Sequence, residues 1–597
     1  MPYRSPVADI LFSLRSVANL PGMIDQGLAG ELDWDAVKSI VAEAGRFATE
    51  EIAPLNRVGD LAGARYENGA VTTPPGFADV YTRWAEAGWN GVSAPAKFGG
   101  MGLPHLVNVA CTEIWNGAAM AFALCPLLTE GAIGALKAHG SRELTEVYLP
   151  PMVSGRWTGT MNLTEPQAGS DLNAVRTRAE RAEDGSYRLF GQKIFITYGE
   201  HDMAENIVHL VLARLPGAPA GTRGLSLFLA PKFLVNAEGS VGERNDLRCA
   251  GIEHKLGIHG SPTCVMVYGD NDGAKAWLIG EENRGLAAMF VMMNAARLAV
   301  GTQGVAIGDR AYQQALTYAR ERRQGRAGKG GDAMSPIIEH PDVQRMLMTM
   351  KANVHAARGI CHLTGASLDL ASHARTEDER TAAANRAALL TPIAKAFSTD
   401  IGDEATSIGV QVHGGMGYIE ETGAAQHMRD SRIAAIYEGA NGIHALDLVQ
   451  RKLPLAGGET VKREIAGVRE VAGAVADRGS ARFGSTAERL FEAVDVLEET
   501  THTMMRWLER DQHPALAGAS QYLRLFGLAL GGACLAKAGL AAEALAADWD
   551  DESELGRVGL ARFFAEKLSP AAPGLARAIA SGGAPLEHYE AILSESA

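Results

Sequence analysis

One block of this 597-residue chain has the period of strands, and the sequence on both sides of it has the period of helices. From Trp157, the run Trp157-Thr158-Gly159-Thr160-Met161-Asn162-Leu163-Thr164 alternates larger apolar groups with small polar ones. That is the two-residue repeat of a strand with one face buried. Residues 193–197, 206–215 and 225–230 repeat the texture between Gly and Asn/Asp turns, so 156–285 is expected to form a domain of short strands. Before it, 36–155 reads as a helical domain, with Ala, Leu and Glu frequent and loops such as Ala94-Pro95 and Phe98-Gly99-Gly100 between elements. After it, 286–452 reads as a helical bundle. Val343, Met346, Leu347 and Met350 form one helix face behind Pro341; Ile393, Phe397, Ile401, Ile408 and Val412 form another, which stops at Gly414-Gly415. The stretch Leu453-Pro454-Leu455-Ala456-Gly457-Gly458 marks a boundary to an additional helical domain, 453–597, with more acids than bases. In an N-terminal extension, 1–35, Ile10, Leu14 and Val17 recur at the spacing of a short helix docked on the body. The expected fold is mainly α with a central β domain.

Composition narrows the function classes. A net charge of −14 argues against nucleic acid as the main partner. Six cysteines (Cys111, Cys125, Cys249, Cys264, Cys361, Cys534) lie far apart with no Cys-x-x-Cys or Cys/His cluster, so neither a metal site nor a disulfide framework is expected. Such usage suits a reducing, cytoplasmic setting. The opening residues lack the pattern of a secretory signal, and no run of about 18 consecutive apolar residues occurs, so no integral membrane segment is expected. No Gly-x-Gly-x-x-Gly follows a strand, no Walker A sequence exists, and no Gly-x-Ser-x-Gly elbow is present.

Three segments set small polar groups beside apolar periodic ones. In Leu163-Thr164-Glu165-Pro166-Gln167-Ala168-Gly169-Ser170-Asp171 a strand ends at Pro166 and a small-residue turn follows. Its amides and hydroxyls can cradle a phosphate or a ring carbonyl, or the turn is an ordinary strand exit. In Gln411-Val412-His413-Gly414-Gly415-Met416-Gly417-Tyr418 three glycines permit close backbone approach, or simply cap a helix; His413 is a general base or a packing histidine. In Ile436-Tyr437-Glu438-Gly439-Ala440-Asn441-Gly442-Ile443 one carboxylate sits between an apolar run and glycines. Glu438 either opens a helix, where its charge suits the dipole, or is a base in an apolar pocket.

Taken in order, these segments resemble the acyl-CoA dehydrogenase family over about 36–452, together with Gly88-Trp89-Asn90-Gly91-Val92, Phe98-Gly99-Gly100-Met101-Gly102, Phe195-Ile196-Thr197, Lys255-Leu256-Gly257, Ser261-Pro262-Thr263 and Arg322-Arg323-Gln324-Gly325. The opening and the tail resemble a longer bacterial subgroup of that family.

The resemblance implies a helical domain, a β-barrel or sandwich domain and a four-helix bundle, with FAD between the β domain and the later helices. Met161, Leu163 and Thr164 would lie along the flavin, Ser170 near its pyrophosphate or the substrate, and Phe195 and Thr197 over the rest of the ring, Phe195 standing where Trp is common. Arg322 and Gln324 would reach the FAD of a neighbouring subunit, which implies a homodimer. Gln411, Gly414 and Gly415 would meet the adenosine diphosphate end. Thr and Gln are usual at the positions of Ala440 and Gly442, so Asn441 is expected to replace one lost hydrogen bond. Glu438 would be the base that removes the α proton while a hydride leaves the β carbon for flavin N5, giving the trans-2-enoyl-CoA, with electrons passed to an electron-transfer flavoprotein. The Glu438 backbone N–H would help stabilise enolate character at the thioester oxygen. Asn294 and Arg297 match positions at the CoA portion, although Arg297 also suits a helix-surface ion pair; Tyr437 and Gly439 flank the base at the substrate. The substrate would be a fatty acyl-CoA or 3-methylmercaptopropionyl-CoA. Two alternatives share the fold: an acyl-CoA oxidase using oxygen, and a flavin-containing DNA-binding protein of the alkylation-response type, which would want a basic tail.

Overall fold

The computed structural model describes residues 3–327, 334–545 and 551–594; Met1 and Pro2, part of the opening segment, lie outside them. The helix Val7–Ser16 buries Ile10 and Leu14, and Val17 is buried just beyond its end, so this first helix is docked on the body. The helix His105–His139 follows a loop ending in Pro104 and has no cap of its own. Asp369, from the helix Pro341–His373, instead accepts from the His105 and Leu106 amides at 2.7 and 2.9 Å, placing a carboxylate at the positive end of the dipole.

The strand block forms an eight-stranded sheet from β1 (Trp157–Asn162), β2 (Arg178–Arg181), β3 (Tyr187–Thr197), β4 (Asn206–Arg214), β5 (Leu225–Pro231), β6 (Leu247–Ile252), β7 (Thr263–Tyr268) and β8 (Ala274–Ile279). Their order is β6-β7-β3-β8-β5-β4-β1, with β2 paired to β3 and β4. β1 runs parallel to β4, with Trp157 opposite Asn206. The one-face expectation for β1 is corrected, because its polar side chains are buried too. Thr158 bonds His201 at 2.9 Å, Thr160 bonds His209 at 2.8 Å, and Tyr268 donates to Asn162 at 2.8 Å. A polar face can enter a core when its partners are supplied there.

Helices Gly285–Glu321, Pro341–His373 and Glu377–His413 form the bundle. Thr376 and Glu379 close a reciprocal cap at the start of the last. Gly301 and Gly304 let the first and last of these helices meet backbone to backbone: a Cβ on Gly304 would stand 2.3 Å from the Ser398 carbonyl. The Pro/Gly stretch after Leu453 turns the chain without separating cores. Ile360, Ile393 and Phe397 of the bundle share one apolar cluster with Val468, Leu497, Tyr522 and Phe564 beyond it.

The expectation about membrane-length segments also needs correction. Among the described residues, His105–His139, Gly285–Glu321 and Ala519–Ala544 are long and apolar enough to cross a membrane, although their most apolar windows are 89%, 50% and 78% buried within the protein. Scattered polar residues break each run while leaving its mean hydropathy high.

Candidate active site

Glu438 is held in a turn few residues adopt. Its φ is 55°, left-handed for a residue with a side chain, and Gly439 follows at 89°. Strain of this kind costs of the order of 1–3 kcal/mol and persists only where the surroundings fix it. The Lys395 ammonium, fully buried on Glu377–His413, donates to the Gly439 carbonyl and to Asn441 Oδ1, each at 2.8 Å. His444 Nε2 lies 3.0 Å from the Glu438 carbonyl; burial holds that imidazole neutral, at about 3, so this nitrogen carries the donated proton. The next helix begins at Asn441, three residues on, so Glu438 does not open it.

Glu438 is half-buried as a residue. Burial pushes its carboxyl up from 4.5 to about 7, against the pull of Arg297 and Lys395. Lys395 is pushed down to about 7 by the same burial, with Glu438 the foremost charge opposing it. Arg297 is half-buried, donates to Asn294 Oδ1 at 3.2 Å, and has a buried Nε with no partner among the described residues. Burial lowers its pKa, opposed first by Asp447 and then by Glu438. The Glu438 backbone N–H also has no acceptor among the described residues.

Tyr437 turns inward. Its hydroxyl donates to Gln303 Oε1, and Gln303 Nε2 donates to Asn116 at 3.0 Å. Its ring packs on a cluster that contains Tyr198, just past β3, and Ala121 to Leu124. Tyr198 donates to the Ala121 carbonyl at 2.7 Å. The end of β3 and the Glu438 turn therefore meet the same apolar wall.

On the strand side, Phe195 is 58% exposed at a φ of 60°, and Thr197 pairs with Thr263. Met161 and Leu163 pack at the edge of the core behind β1, and the Thr164 carbonyl accepts from the Ile194 amide at 2.9 Å. Ser170 is exposed. Beneath that turn, Glu165 is buried, accepting from Thr177, Arg176, Gln167 and Lys193. Burial alone would raise its carboxyl; Lys193 and the hydrogen bonds hold it at about 2.

Several expected roles change. Asn441 does not face outward: Oδ1 accepts from Lys395 and Thr399, and Nδ2 donates to Asp400 and the Ala396 carbonyl, leaving no capacity for a cofactor. The carbonyl of Gly439 is likewise taken by Lys395. His413 bonds the Gly409 carbonyl at 2.7 Å and stacks on Tyr318 at 4.5 Å, the packing role of the two considered. Gln411, Gly414 and Gly415 are exposed at the helix end. Arg322 and Gln324 are exposed beyond the end of Gly285–Glu321, on a strap whose Gln324 amide bonds Ser335. Lys395, Gln303 and Asn116 were missed from the sequence. The signal available was a lone cation inside the apolar face of Ile393 and Phe397, which buried helices carry only with partners.

A helical domain, an eight-stranded sheet and a bundle with one enclosed carboxylate on its closing turn define a fold and site class, and the comparisons agree with it. The acyl-CoA dehydrogenase N-terminal, middle and C-terminal domain families match residues 35–156, 160–270 and 283–453, and the family described as acetyl-CoA dehydrogenase C-terminal like matches 464–588. The chain belongs to the acyl-CoA dehydrogenase family and is an enzyme of that family. It is 47% identical over 571 residues to 3-methylmercaptopropionyl-CoA dehydrogenase of Ruegeria pomeroyi, covering 95% of this chain and 96% of that one. Two solved structures share the fold: Caenorhabditis elegans ACDH-11 in complex with C11-CoA (TM-score 0.76, 20% identity, 94% of this chain and 91% of that one) and a Bacillus anthracis acyl-CoA dehydrogenase complexed with FAD (TM-score 0.70, 21% identity, 92% and 89%).

Proposed function

We propose that Glu438 removes the α proton of an acyl-CoA thioester, giving the trans-2-enoyl-CoA, in a site that holds FAD between the sheet and the bundle. The carrying observation is the Glu438 carboxyl, fixed in a left-handed turn and lifted by burial into the neutral range. When bound, FAD supplies the acceptor for the hydride that leaves the β carbon. The residues present fit it. Phe195 offers an exposed aromatic face beside the strand end, and a Cβ on Gly169, Gly414 or Gly415 would meet nothing within 4 Å, so a large ligand can approach the backbone there. Met161, Leu163, Thr164, Ser170 and Thr197 stand on the strand side of that space, and Gln411 on the bundle side. Ala440 and Gly442 offer no side-chain hydrogen bond, so this end relies on backbone groups.

Glu438 takes the proton on its carboxylate, and its own unpartnered N–H is the donor this chain offers to the thioester oxygen as charge develops there. Lys395 and Arg297 keep enough of the carboxylate ionised near neutral pH. Arg297 with Asn294, and Tyr437 at the acyl chain, are the substrate contacts. A short acyl-CoA such as 3-methylmercaptopropionyl-CoA is favoured by the 47% identical relative. An electron-transfer flavoprotein is the proposed acceptor, and a cytoplasmic homodimer, with Arg322 and Gln324 reaching across, the proposed setting.

The test is anaerobic bleaching of the yellow protein by a panel of acyl-CoAs. Glu438→Gln should retain flavin and lose bleaching; reduction at the wild-type rate would sink the assignment. Peroxide formed stoichiometrically on turnover in air would mark an oxidase instead.

A further inference from the structure

The Glu438 turn has an anchor on each side, and the two anchors sit on helices locked to one another. On the far side, Lys395 of Glu377–His413 holds the Gly439 carbonyl. On the near side, the Tyr437 hydroxyl bonds Gln303 of Gly285–Glu321. These two helices cross at glycines that flank Gln303. A Cβ on Gly301 would stand 2.5 Å from the Ala394 carbonyl and 3.2 Å from Lys395 Cα, and one on Gly304 would stand 2.3 Å from the Ser398 carbonyl. Only Gly lets backbones approach so closely. Gln303 and Lys395 are thus fixed relative to each other by main chain against main chain.

The near anchor runs in one direction. Asn116 Nδ2, on His105–His139, donates at 2.8 Å to the Thr112 carbonyl, which can only accept. Asn116 Oδ1 therefore accepts from Gln303 Nε2, at 3.0 Å, and Gln303 Oε1 is left to accept from the phenol. Gln303 is fully buried and Asn116 is 4% exposed. Burial raises the Tyr437 phenol, with the Glu438 charge acting in the same sense, so the proton stays on it. That proton is committed inward, and Tyr437 has none to give a substrate. Between the anchors lies the peptide joining Tyr437 to Glu438. Its N–H has no acceptor among the described residues, and Glu438 stands at a φ of 55°, a conformation that the surroundings must impose.

We propose that Gln303, oriented by Asn116, is a positioning residue: through the Tyr437 hydroxyl it aims the Glu438 backbone N–H at the thioester oxygen. This rests on the proposed site at Glu438.

The experiment uses the flavin-loaded full chain and two readouts. The first is the enolisation of bound acetoacetyl-CoA, which loses an α proton with no hydride leaving, followed by absorbance as pH is varied. The second is kcat and KM with a bleaching acyl-CoA. Gln303→Met and Tyr437→Phe break the same bond from opposite ends. Each should move the enolisation midpoint upward by about one pH unit and lower kcat about ten-fold with KM changed far less, a part of what removing such a donor costs. The double variant should lose no more than either single one. Gln303→Glu, which keeps an acceptor for the phenol, should retain more kcat than Gln303→Met. An unmoved enolisation midpoint with only thermal stability lowered would mean packing alone, and losses that add in the double variant would mean separate roles; either overturns the proposal. Should Gln303→Met fail to fold, Tyr437→Phe, which removes one oxygen, decides by its enolisation midpoint. Failure of the Glu438 reading looks different: Glu438→Gln would still bleach with acyl-CoA.

Discussion

At the residue, Glu438 sits between opposed influences, burial the larger and Arg297 and Lys395 against it, and that makes its titration informative. Its folded value is raised, so the protonated form is stabilised in the fold: the contribution to stability is present below the ordinary 4.5 and is lost as pH rises through about 7. The working form is the carboxylate, so kcat/KM should climb with pH through about 7. Lys395 acts through its charge and through its bonds to Gly439 and Asn441. Lys395→Gln keeps a donor for the Gly439 carbonyl and removes the charge, so the midpoint of the kcat/KM profile should move upward while bound flavin is retained. An unmoved midpoint with a uniformly lower rate would assign Lys395 a purely architectural role.

At the element, what was legible in the sequence was what repeats. The strand at β1, the helix face ending at Val412 and the stop at Gly414 all stand in the structure, and for the helix face the reason is that burial imposes a period on it. Gly414 has a φ of 59° and a ψ of −142°, a region open to Gly and little else. Gly414→Ala should lower stability by about 1–3 kcal/mol in thermal or denaturant unfolding, although space for the methyl is ample. What was not legible was pairing between distant elements. Nothing local to Lys395 says that it will hold a turn far along the chain. Nothing local to Asn441 says that Lys395, Thr399 and Asp400 will use up its amide. Glu165 reads as part of a turn motif, yet its place beneath the turn depends on Lys193 from another strand. The polar face of β1 misled for the same reason: its partners His201, His209 and Tyr268 arrive from elsewhere in the sheet domain.

For the whole molecule, a buried charge network ties the parts together. Arg358, 1% exposed, pairs with Glu113 at 2.7 Å and Asp309 at 3.3 Å, while Asp9 of the first helix lies 3.6 Å from His355 and 3.1 Å from Arg557 of the tail. Burial raises the Glu113 and Asp309 carboxyls, and Arg358 opposes it. Arg358→Met should cost about 3–5 kcal/mol in chemical unfolding, because two carboxylates lose their counter-charge. The proposed dimer is checked by sedimentation velocity, where a stable tetramer would count against it.

The cluster that runs from Ile360 to Phe564 has a practical corollary. Ending the chain near Leu453, the length at which the three principal domain matches stop, would strip Val468, Leu497, Tyr522 and Phe564 from the helices they cover. The remainder would present a broad greasy flank to water, and insoluble product is the expected harvest. The last quarter is thus a permanent casing, and heating should melt casing and catalytic body in a single step.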